Sequence, residues 1–311
     1  MRNISVVIPV FNSEEILPIL LQRLTSVLSR LASEYEIILV NDCSRDRSWE
    51  VTLEVCKQYE SVQGINLMRN YGQHNALLCG IRSARYDLIV TMDDDLQHQP
   101  EEIPTLLEKL DEGYDVVYGT PISEKHGFWR VIASQATKLV LQNAMGSEIA
   151  RKVSAFRAFK TRLRDAFSDY SSPFLCIDVL LTWGTTSFAM VPVKHGSRYS
   201  GVSNYTLGKL LTHALNLITG FSILPLQFAS YIGLLFMLFG IFLLAFVFGR
   251  YFIQGIAVHG FTFLASVIII FSGTQLFILG VMGEYLARMH IRITNRPVYV
   301  IRETTGPQSE S

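Results

Sequence analysis

The segment DLIVTMDDDLQ, residues 87–97, joins an apolar run to three consecutive aspartates. The run DLIVTM is short and rich in β-branched and other apolar residues, which is typical of a strand buried on both faces of a sheet. Asp93, Asp94 and Asp95 carry neighbouring negative charges that repel one another. A chain that holds them together where a strand ends therefore needs a compensating interaction there.

Four further apolar runs have the same character as DLIVTM. They are ISVVIPV (4–10), EIILV (36–40), GINLM (64–68) and DVVYG (115–119). Helix-like segments alternate with the five runs, at about Ile16–Leu31, Trp49–Tyr59, Gln73–Ala84 and Glu101–Leu110. The alternation predicts an α/β fold with a mostly parallel sheet and helices on both of its faces. The pattern weakens after residue 120.

Polar segments follow three of the predicted strands. They are NDCSRD (41–46), RNYGQ (69–73) and DDDLQ (93–97). Ligands of open α/β sheets bind beyond the carboxyl ends of the strands, so we expect these loops to gather at one edge around a ligand.

Two of the three aspartates are spaced to act together. Residues 93 and 95 are i and i+2, so their side chains can turn the same way as the strand ends, with Asp94 facing elsewhere. Mg²⁺ and Mn²⁺ typically take one or two carboxylates together with substrate phosphates, which predicts a metal that holds a diphosphate. The alternative is that the acidic cluster only stabilises the start of a helix near Pro100.

The apolar residues are concentrated near the C-terminus. The chain has 311 residues, 49% of them hydrophobic and 17% charged. Residues 221–250 and 261–283 form two uncharged apolar stretches apart from the final Arg250. Each reaches the roughly 20 residues that cross a bilayer, which predicts spans at about 223–249 and 261–284. A buried helical hairpin of a soluble core is the alternative.

The flanks of these stretches predict an orientation. The start of the chain, MRNISVVIPVFN, lacks the pattern of a signal peptide, and the segment after the second stretch is rich in arginine. The loop YFIQGIAVHG between the stretches contains histidine as its only basic residue. We therefore expect a multi-pass protein of the inner (cytoplasmic) membrane, with the N-terminal domain and both termini in the cytoplasm.

Four regions follow from these patterns. Residues 1–202 are expected to form the catalytic domain, 203–220 an amphipathic helix, 221–290 the two spans, and 291–311 a cytoplasmic tail. The apolar stripe of the amphipathic helix fits either a core-facing helix or one lying in the headgroup layer. Two spans leave exposed helix faces that a homo-oligomer would cover.

Charge and cysteine content exclude other classes. The 27 basic and 27 acidic residues give a formal net charge of zero, and no basic and aromatic array precedes the spans, so nucleic acid is not an expected partner. The four cysteines lack the spacing of a zinc site and are expected to be ordinary buried thiols.

Three motifs together resemble a known family. SVVIPVFNSEE (5–15), DDDLQHQPEEIP (93–104) and RNYGQHNALLCGI (69–81) are similar to segments of the polyprenyl-phosphate glycosyltransferases of glycosyltransferase family 2. The family includes bactoprenol glucosyltransferases, undecaprenyl-phosphate aminoarabinose transferases and dolichol-phosphate mannose synthases. The resemblance covers essentially the whole chain, including two C-terminal spans that end in GEYLAR, and it implies a GT-A, Rossmann-like fold.

The resemblance also implies roles for individual residues. Binding of the nucleotide is implied for Pro9, Phe11, Asn12, Glu14, Asp42, Arg69 and Asp94. Binding of Mg²⁺ or Mn²⁺ is implied for Asp93, Asp95 and Gln97, and binding of the phosphates or the acceptor for Arg157, Arg198 and Ser203. The residues expected to take part most directly in the chemistry are Asp93, Asp95 and Arg198.

The chain departs from the family pattern at several positions. Asn41 and Cys43 stand where the family usually has Asp and Gly, and Asn204 replaces a common lysine. An acidic residue found in some relatives just upstream of Arg157 is absent, which leaves the general base unassigned. Asp178 fits either a base or a buried partner of an arginine.

The expected activity is an inverting, metal-dependent transfer of a sugar from a UDP-sugar to undecaprenyl or another polyprenyl phosphate, with glucose as the first candidate. A 4-amino-4-deoxyarabinose derivative and mannose from GDP-mannose are the alternatives. A processive polysaccharide synthase is disfavoured because the sequence lacks a Gln-x-x-Arg-Trp segment. A flippase for the lipid-linked sugar is disfavoured because the spans offer few polar groups.

Overall fold

A computed structural model describes residues 2–122, 149–151, 153–172, 175–196, 219, 221–254, 261–294 and 296–306. The chain divides into two compact units. The sheet unit comprises Met1–Ala214 and Asn295–Ser311, and the helical unit comprises Leu215–Thr294. The chain therefore leaves the sheet unit once and returns to it at its C-terminal end.

The first half of the sheet unit alternates strands and helices as the sequence predicts. The elements are β1 (Arg2–Val10), α1 (Leu17–Leu31), β2 (Ala32–Asn41), α2 (Ser48–Gln58), β3 (Val62–Leu67), α3 (Gln73–Ser83), β4 (Leu88–Thr91), α4 (Ile103–Asp111) and β5 (Val116–Pro121). The remaining elements of the unit are β6 (Arg157–Lys160), α5 (Ile177–Gly184), β7 (Phe188–Val193) and β8 (Ile301–Thr305). The sequence pattern contains no prediction of β6, β7 or β8.

The strands form one eight-stranded sheet in the order β7-β5-β6-β4-β1-β2-β3-β8. Strand β6 runs antiparallel to β4 and β5, and β8 runs antiparallel to β3, whereas the other pairs are parallel. The predicted mostly parallel sheet is confirmed. The polar loops after β1, β2, β3 and β4 consequently leave the sheet at the same edge.

The central strand β1 is buried on both faces. Val6 and Ile8 belong to the apolar cluster that also contains Leu17, Leu20, Leu21, Leu24 and Leu28 of α1, a spacing that places these leucines on one helix stripe. On the other face of the sheet, α3 approaches β1 at Gly80. A Cβ atom at residue 80 would lie 2.3 Å from Val7 Cγ1, so only glycine allows this closeness.

The C-terminal region differs from the expectation. Residues 291–311 were predicted to form a tail, but Ile301–Thr305 form the edge strand β8 of the sheet. The segment IRETT has little apolar character, and its pairing partner β3 lies far away in the sequence. Nothing in the local pattern therefore marks it as a strand.

The helical unit contains two long helices, α6 (Leu224–Gln254) and α7 (Phe261–Ile293). Both are long and apolar enough to cross a membrane, over Leu224–Gly249 and Ile270–Ile293. No residue in the most apolar 18-residue window of either helix is buried, which disfavours the buried-hairpin alternative. The predicted amphipathic helix, 203–220, lies outside the described residues except for Thr219.

The close approach of α3 to β1 predicts a stability effect. We expect Gly80→Ala to lower the free energy of unfolding by about 1–3 kcal/mol, because the added methyl group overpacks against Val7. The measurement is urea unfolding of the full chain in detergent, followed by tryptophan fluorescence. Ser83→Ala in the same helix is the control, expected to stay within about 0.5 kcal/mol of the original chain. Equal stability of both variants would contradict the packing.

The cysteines predict a reactivity pattern. All four are free thiols, and burial raises the pKa of Cys56 to about 11 and the pKa of Cys79 and Cys176 to about 12. Because the thiolate is the reactive form, we expect iodoacetamide at pH 8 to modify Cys43 before the other three in the folded chain. Peptide mass spectrometry measures the extent of modification. Early modification of Cys79 or Cys176 without denaturant would overturn this prediction.

Candidate active site

A cavity of about 240 Å³ lies at the carboxyl ends of the central strands. It is lined by Pro9, Val10, Phe11, Asp42, Asn70, Gly72, Gln73, Asp93, Asp94 and Asp95. These residues come from the loops after β1, β2, β3 and β4 and from the first turn of α3, as the convergence of the polar loops predicts. A larger groove of about 630 Å³ lies along α1, beside the ion pair of Arg23 and Glu101, and contains none of the three aspartates.

Asp94 binds the loop after β1. Its Oδ2 accepts hydrogen bonds from Phe11 N, at 3.0 Å, and from the Ser13 hydroxyl. Burial raises the pKa of Asp94, and these two hydrogen bonds act in the opposite direction. The middle aspartate therefore connects the β4 loop to the β1 loop.

Asp42 has an equivalent role for the loop after β3. Its two carboxylate oxygens accept hydrogen bonds from Tyr71 N, at 2.7 Å, and from Gly72 N, at 2.8 Å. Gly72 has φ +91°, a conformation that glycine adopts without strain, and it precedes the first residue of α3. Burial raises the pKa of Asp42, while the two backbone N–H groups lower it. Asp42 thus fixes the start of α3 beside the cavity that it also lines.

Asp93 and Asp95 both line the cavity on either side of Asp94. Gln73 Nε2 donates to Asp93 Oδ1 at 2.5 Å, and Asp95 Oδ1 accepts from the backbone N–H of Gln97 at 3.0 Å. The described residues contain no group of three His, Cys, Asp or Glu side chains placed to enclose a metal. Two hard carboxylates that open onto a cavity still fit Mg²⁺ or Mn²⁺, because these ions complete their shells with water and substrate phosphates.

The Gln97 side chain is not among the groups that line the cavity. Its backbone N–H binds Asp95, and its carbonyl accepts from Gly196 N at 2.8 Å. The contribution of Gln97 in the described structure is therefore to the shape of the acidic loop. A metal-binding role for its side chain stays a prediction.

Asn12 and Glu14 connect two loops and do not line the cavity. Asn12 Oδ1 accepts from Arg45 N at 2.8 Å, and Glu14 Oε2 accepts from Arg47 N at 2.9 Å. Both residues therefore hold the β1 loop against the β2 loop. Contact of Asn12 and Glu14 with the nucleotide stays a prediction.

Three residues in these loops adopt the left-handed conformation. They are Asn12 (φ 56°), Cys43 (φ 56°) and Leu96 (φ 58°), one each in the loops after β1, β2 and β4. Glycine is the residue best suited to this conformation, which gives a physical reason for the glycine that the family usually has at the position of Cys43. Strained backbone of this kind concentrates at functional sites.

Arg157 differs from its expected role at the acceptor phosphate. Its side chain, on β6, is 1% exposed and forms a buried ion pair with Asp178. Its Nε donates to Thr91 Oγ1 at 3.0 Å, and Tyr118 donates to Asp178 Oδ1 at 3.0 Å. The geometry corrects the expectation: Arg157 joins β6 to β4 and α5. The same contacts identify Asp178 as the buried partner of an arginine, one of its two alternatives.

Of the three remaining predicted residues, only Arg69 belongs to the described part of the chain. Arg69 stacks on Tyr71, with its guanidinium carbon 4.7 Å from the ring centroid, and is not among the cavity-lining residues. Arg198 and Ser203 lie outside the described residues, as does Asn204.

Sequence reasoning missed several residues at the site. Asn70, Gly72 and Gln73 line the cavity, and Ser13 supports it through Asp94. The run RNYGQ predicted the position of the first three at a strand end, but the pattern contains no signal that Gln73 would bind Asp93.

Comparisons with known proteins agree with this fold. Residues 5–170 match the family described as Glycosyl transferase family 2. The undecaprenyl-phosphate 4-deoxy-4-formamido-L-arabinose transferase of Pectobacterium atrosepticum is 33% identical over 308 residues, which cover 98% of this chain and 94% of the relative. The transferase of the same name from Serratia proteamaculans is 34% identical over 311 residues, which cover 99% and 95%.

Solved structures share the fold at lower identity. Glucosyl-3-phosphoglycerate synthase of Mycobacterium tuberculosis is 18% identical with a TM-score of 0.50, covering 70% of this chain and 76% of that one. Mannosyl-3-phosphoglycerate synthase of Rubrobacter xylanophilus is 19% identical with a TM-score of 0.51, covering 70% and 72%. The resemblance drawn from the motifs is confirmed: the chain belongs to glycosyl transferase family 2 and is a glycosyltransferase.

Proposed function

We propose that the protein transfers a 4-deoxy-4-formamido-L-arabinose residue from a UDP-linked donor to undecaprenyl phosphate. The supporting observation is the similarity to transferases of that name over nearly the whole chain, apolar helices included. This changes the order of the sequence-based expectation, in which glucose stood first and the aminoarabinose derivative second. The comparisons favour the second candidate.

The cavity at the carboxyl ends of β1, β2 and β4 is the proposed site of the nucleotide donor. Phe11 and Asp42 are proposed to contact the nucleoside, and Asp93 and Asp95 are proposed to face the diphosphate. Support comes from the lining of the cavity, which combines an aromatic ring, half exposed at Phe11, with carboxylates next to the N-terminus of α3. The partial positive charge at the N-terminus of a helix favours phosphate oxygens.

A divalent cation is part of the proposal. Asp93 and Asp95 would hold Mg²⁺ or Mn²⁺, which when bound would neutralise the negative charge that develops on the departing diphosphate. The M. tuberculosis enzyme that shares the fold was crystallised with Mn²⁺ and UDP. Gln73 keeps Asp93 oriented towards the cavity through its 2.5 Å hydrogen bond.

The acceptor supplies its own nucleophile in this proposal. A lipid phosphate is ionised at neutral pH, so one of its oxygens can attack the anomeric carbon without a general base. The bond from that carbon to the diphosphate oxygen breaks on the opposite side, and the configuration inverts. Asp178 is engaged by Arg157, which fits a reaction that needs no base there. Arg198 and Ser203 are proposed to contact the phosphates.

The return of the chain to the sheet supports a membrane topology. Strand β8 follows the apolar helices and pairs with β3, which precedes them, so both flanks lie in one compartment. Two membrane crossings satisfy this condition. Together with the arginine-rich segment after α7, this supports a multi-pass protein of the cytoplasmic membrane with both termini in the cytoplasm. A homo-oligomer that covers the exposed helix faces is also proposed.

Donor selectivity tests the proposed reaction. We expect the purified full chain in detergent, with Mg²⁺ and undecaprenyl phosphate, to use the UDP-linked formamidoarabinose at a kcat/KM at least about tenfold above that for UDP-glucose and GDP-mannose. Mass spectrometry of the lipid should find one sugar per lipid. A higher kcat/KM for UDP-glucose would restore the glucose alternative, and a sugar polymer would indicate a processive synthase.

Removal of the metal or of its carboxylates tests the acidic loop. We expect EDTA to abolish transfer, and Asp93→Asn and Asp95→Asn each to reduce kcat by about 10²–10³-fold, because a charge-stabilising group is lost. Asp165→Asn, at an exposed site, is the matched control and should retain activity. Binding of Mn²⁺, followed by electron paramagnetic resonance, should weaken in the same two variants. Full activity in EDTA would exclude the metal.

A further inference from the structure

The last strand of the sheet borders the loops of the cavity. Residues 294–300 separate α7 from β8, and β8 pairs antiparallel with β3, with Asn66 opposite Glu303. Strand β3 leads directly into the loop that contains the cavity-lining residues Asn70 and Gly72. At the start of that loop, Met68 N donates to Val300 O at 2.9 Å, and Arg302 donates to Met68 O at 3.1 Å.

A line of side-chain hydrogen bonds runs from β8 across the sheet. Asn66 Nδ2 donates to Glu303 Oε1 at 3.0 Å, and Asn41 Nδ2 donates to Asn66 Oδ1 at 2.8 Å. Asn41 Oδ1 accepts from the Ser44 hydroxyl at 2.6 Å. Ser44 Oγ in turn accepts from Asn12 N at 3.0 Å. We call this line the amide relay.

The amide relay has a direction that Glu303 sets. Asn66 and Asn41 are only 5% and 2% exposed. Each NH₂ group must therefore face an acceptor, and each amide oxygen must face a donor. A carboxylate accepts but does not donate, so it orients the NH₂ group of Asn66 towards β8. The oxygen of Asn66 then faces Asn41, whose own oxygen faces Ser44. If the Asn66 amide were reversed, its NH₂ group would face the NH₂ group of Asn41 inside the sheet.

The relay ends at the walls of the cavity. Asn12 follows Phe11, and Asn41 precedes Asp42, and both of these neighbours line the cavity. The position of the β1 loop against the β2 loop therefore depends on Asn41 turning its amide oxygen, and not its NH₂ group, to Ser44.

We propose that Glu303, in the strand that follows the apolar helices, is a positioning residue for the donor cavity: through Asn66 and Asn41 it fixes the contact between Ser44 and Asn12. This rests on the proposed function in one respect, namely that the cavity binds the UDP part of the donor.

A reversed relay tests the proposal. Asn41→Asp removes the donor at residue 41, so Asn66 must turn its NH₂ group to the new carboxylate, and its oxygen then faces Glu303. Glu303→Gln supplies the donor that this reversed Asn66 needs. The double variant therefore restores a complete relay in which the bonds of Asn66 to residues 303 and 41 run the other way, while Ser44 still donates to residue 41 and Asn12 N to Ser44. The matched control combines Asn41→Asp with Glu60→Gln, which removes one negative charge at an exposed site outside the relay.

Binding of UDP to the full chain in detergent with Mg²⁺, measured by calorimetry, is the readout. We expect Asn41→Asp to raise the Kd for UDP by about tenfold, which corresponds to about 1.4 kcal/mol. Glu303→Gln alone should raise the Kd by about three- to fivefold, because a glutamine side chain no longer obliges Asn66 to turn its NH₂ group towards β8. The double variant should return to within about twofold of the original chain, and the Glu60 control should remain as weak as Asn41→Asp.

Each other outcome has a defined meaning. If UDP binds the original chain and the Glu303→Gln exchange fails to rescue Asn41→Asp, the positioning role is wrong while the donor site stands. The same holds if the Glu60 control rescues equally, or if Asn41→Asp lowers the melting temperature without changing the Kd. If the original chain does not bind UDP, the proposed donor site and the positioning role of Glu303 are both wrong.

Discussion

The candidate site depends on two carboxylates, the half-buried Asp94 and the buried Asp42, that accept hydrogen bonds from the backbone of neighbouring loops. Asp94 binds Phe11 N, and Asp42 binds the N–H groups of Tyr71 and Gly72. Removing a carboxylate from water costs free energy, and backbone donors offset this cost because they are fixed in place by the sheet and by α3. The loops after β1, β3 and β4 are thus held together by hydrogen bonds to these two carboxylates. Without these bonds the cavity would have no defined wall.

The three aspartates that follow β4 therefore have different roles although they are neighbours in sequence. All three line the cavity, but Asp94 binds the β1 loop, whereas Asp93 accepts from the Gln73 side chain and Asp95 from the backbone N–H of Gln97. Repulsion among the three is reduced because Asp94 is engaged by Phe11 and Ser13, and Asp93 by Gln73. A bound divalent cation would lower it further.

Much of the fold could be predicted because its strands are continuous apolar runs that alternate with helices. The strands β1 to β5 and the helices between them follow from this pattern, as does the gathering of their loops at one edge. Strand β6 could not be predicted, because it has four residues and begins with Arg157, which in sequence has the character of a surface residue. Its charge is matched by Asp178, and only the folded chain brings the two together.

The site could be predicted in its position but less well in its contacts. The motif residues Pro9, Phe11, Asp42 and the three aspartates line the cavity, as expected. Asn12 and Glu14 instead brace the loops, because their side chains meet the backbone of residues more than 30 positions away. Such long-range pairing of polar groups leaves no periodic signal in a single sequence.

The placement of β8 has a consequence for how the protein is made. Synthesis proceeds from the N-terminus, so strands β1 to β7 emerge while β3 still forms an open edge of the sheet. The edge is closed only after both apolar helices have left the ribosome. Until β8 pairs with β3, the N–H and C=O groups on that side of β3 are open to pairing with other chains. The eight-stranded sheet can therefore be completed only after both long helices have been synthesised.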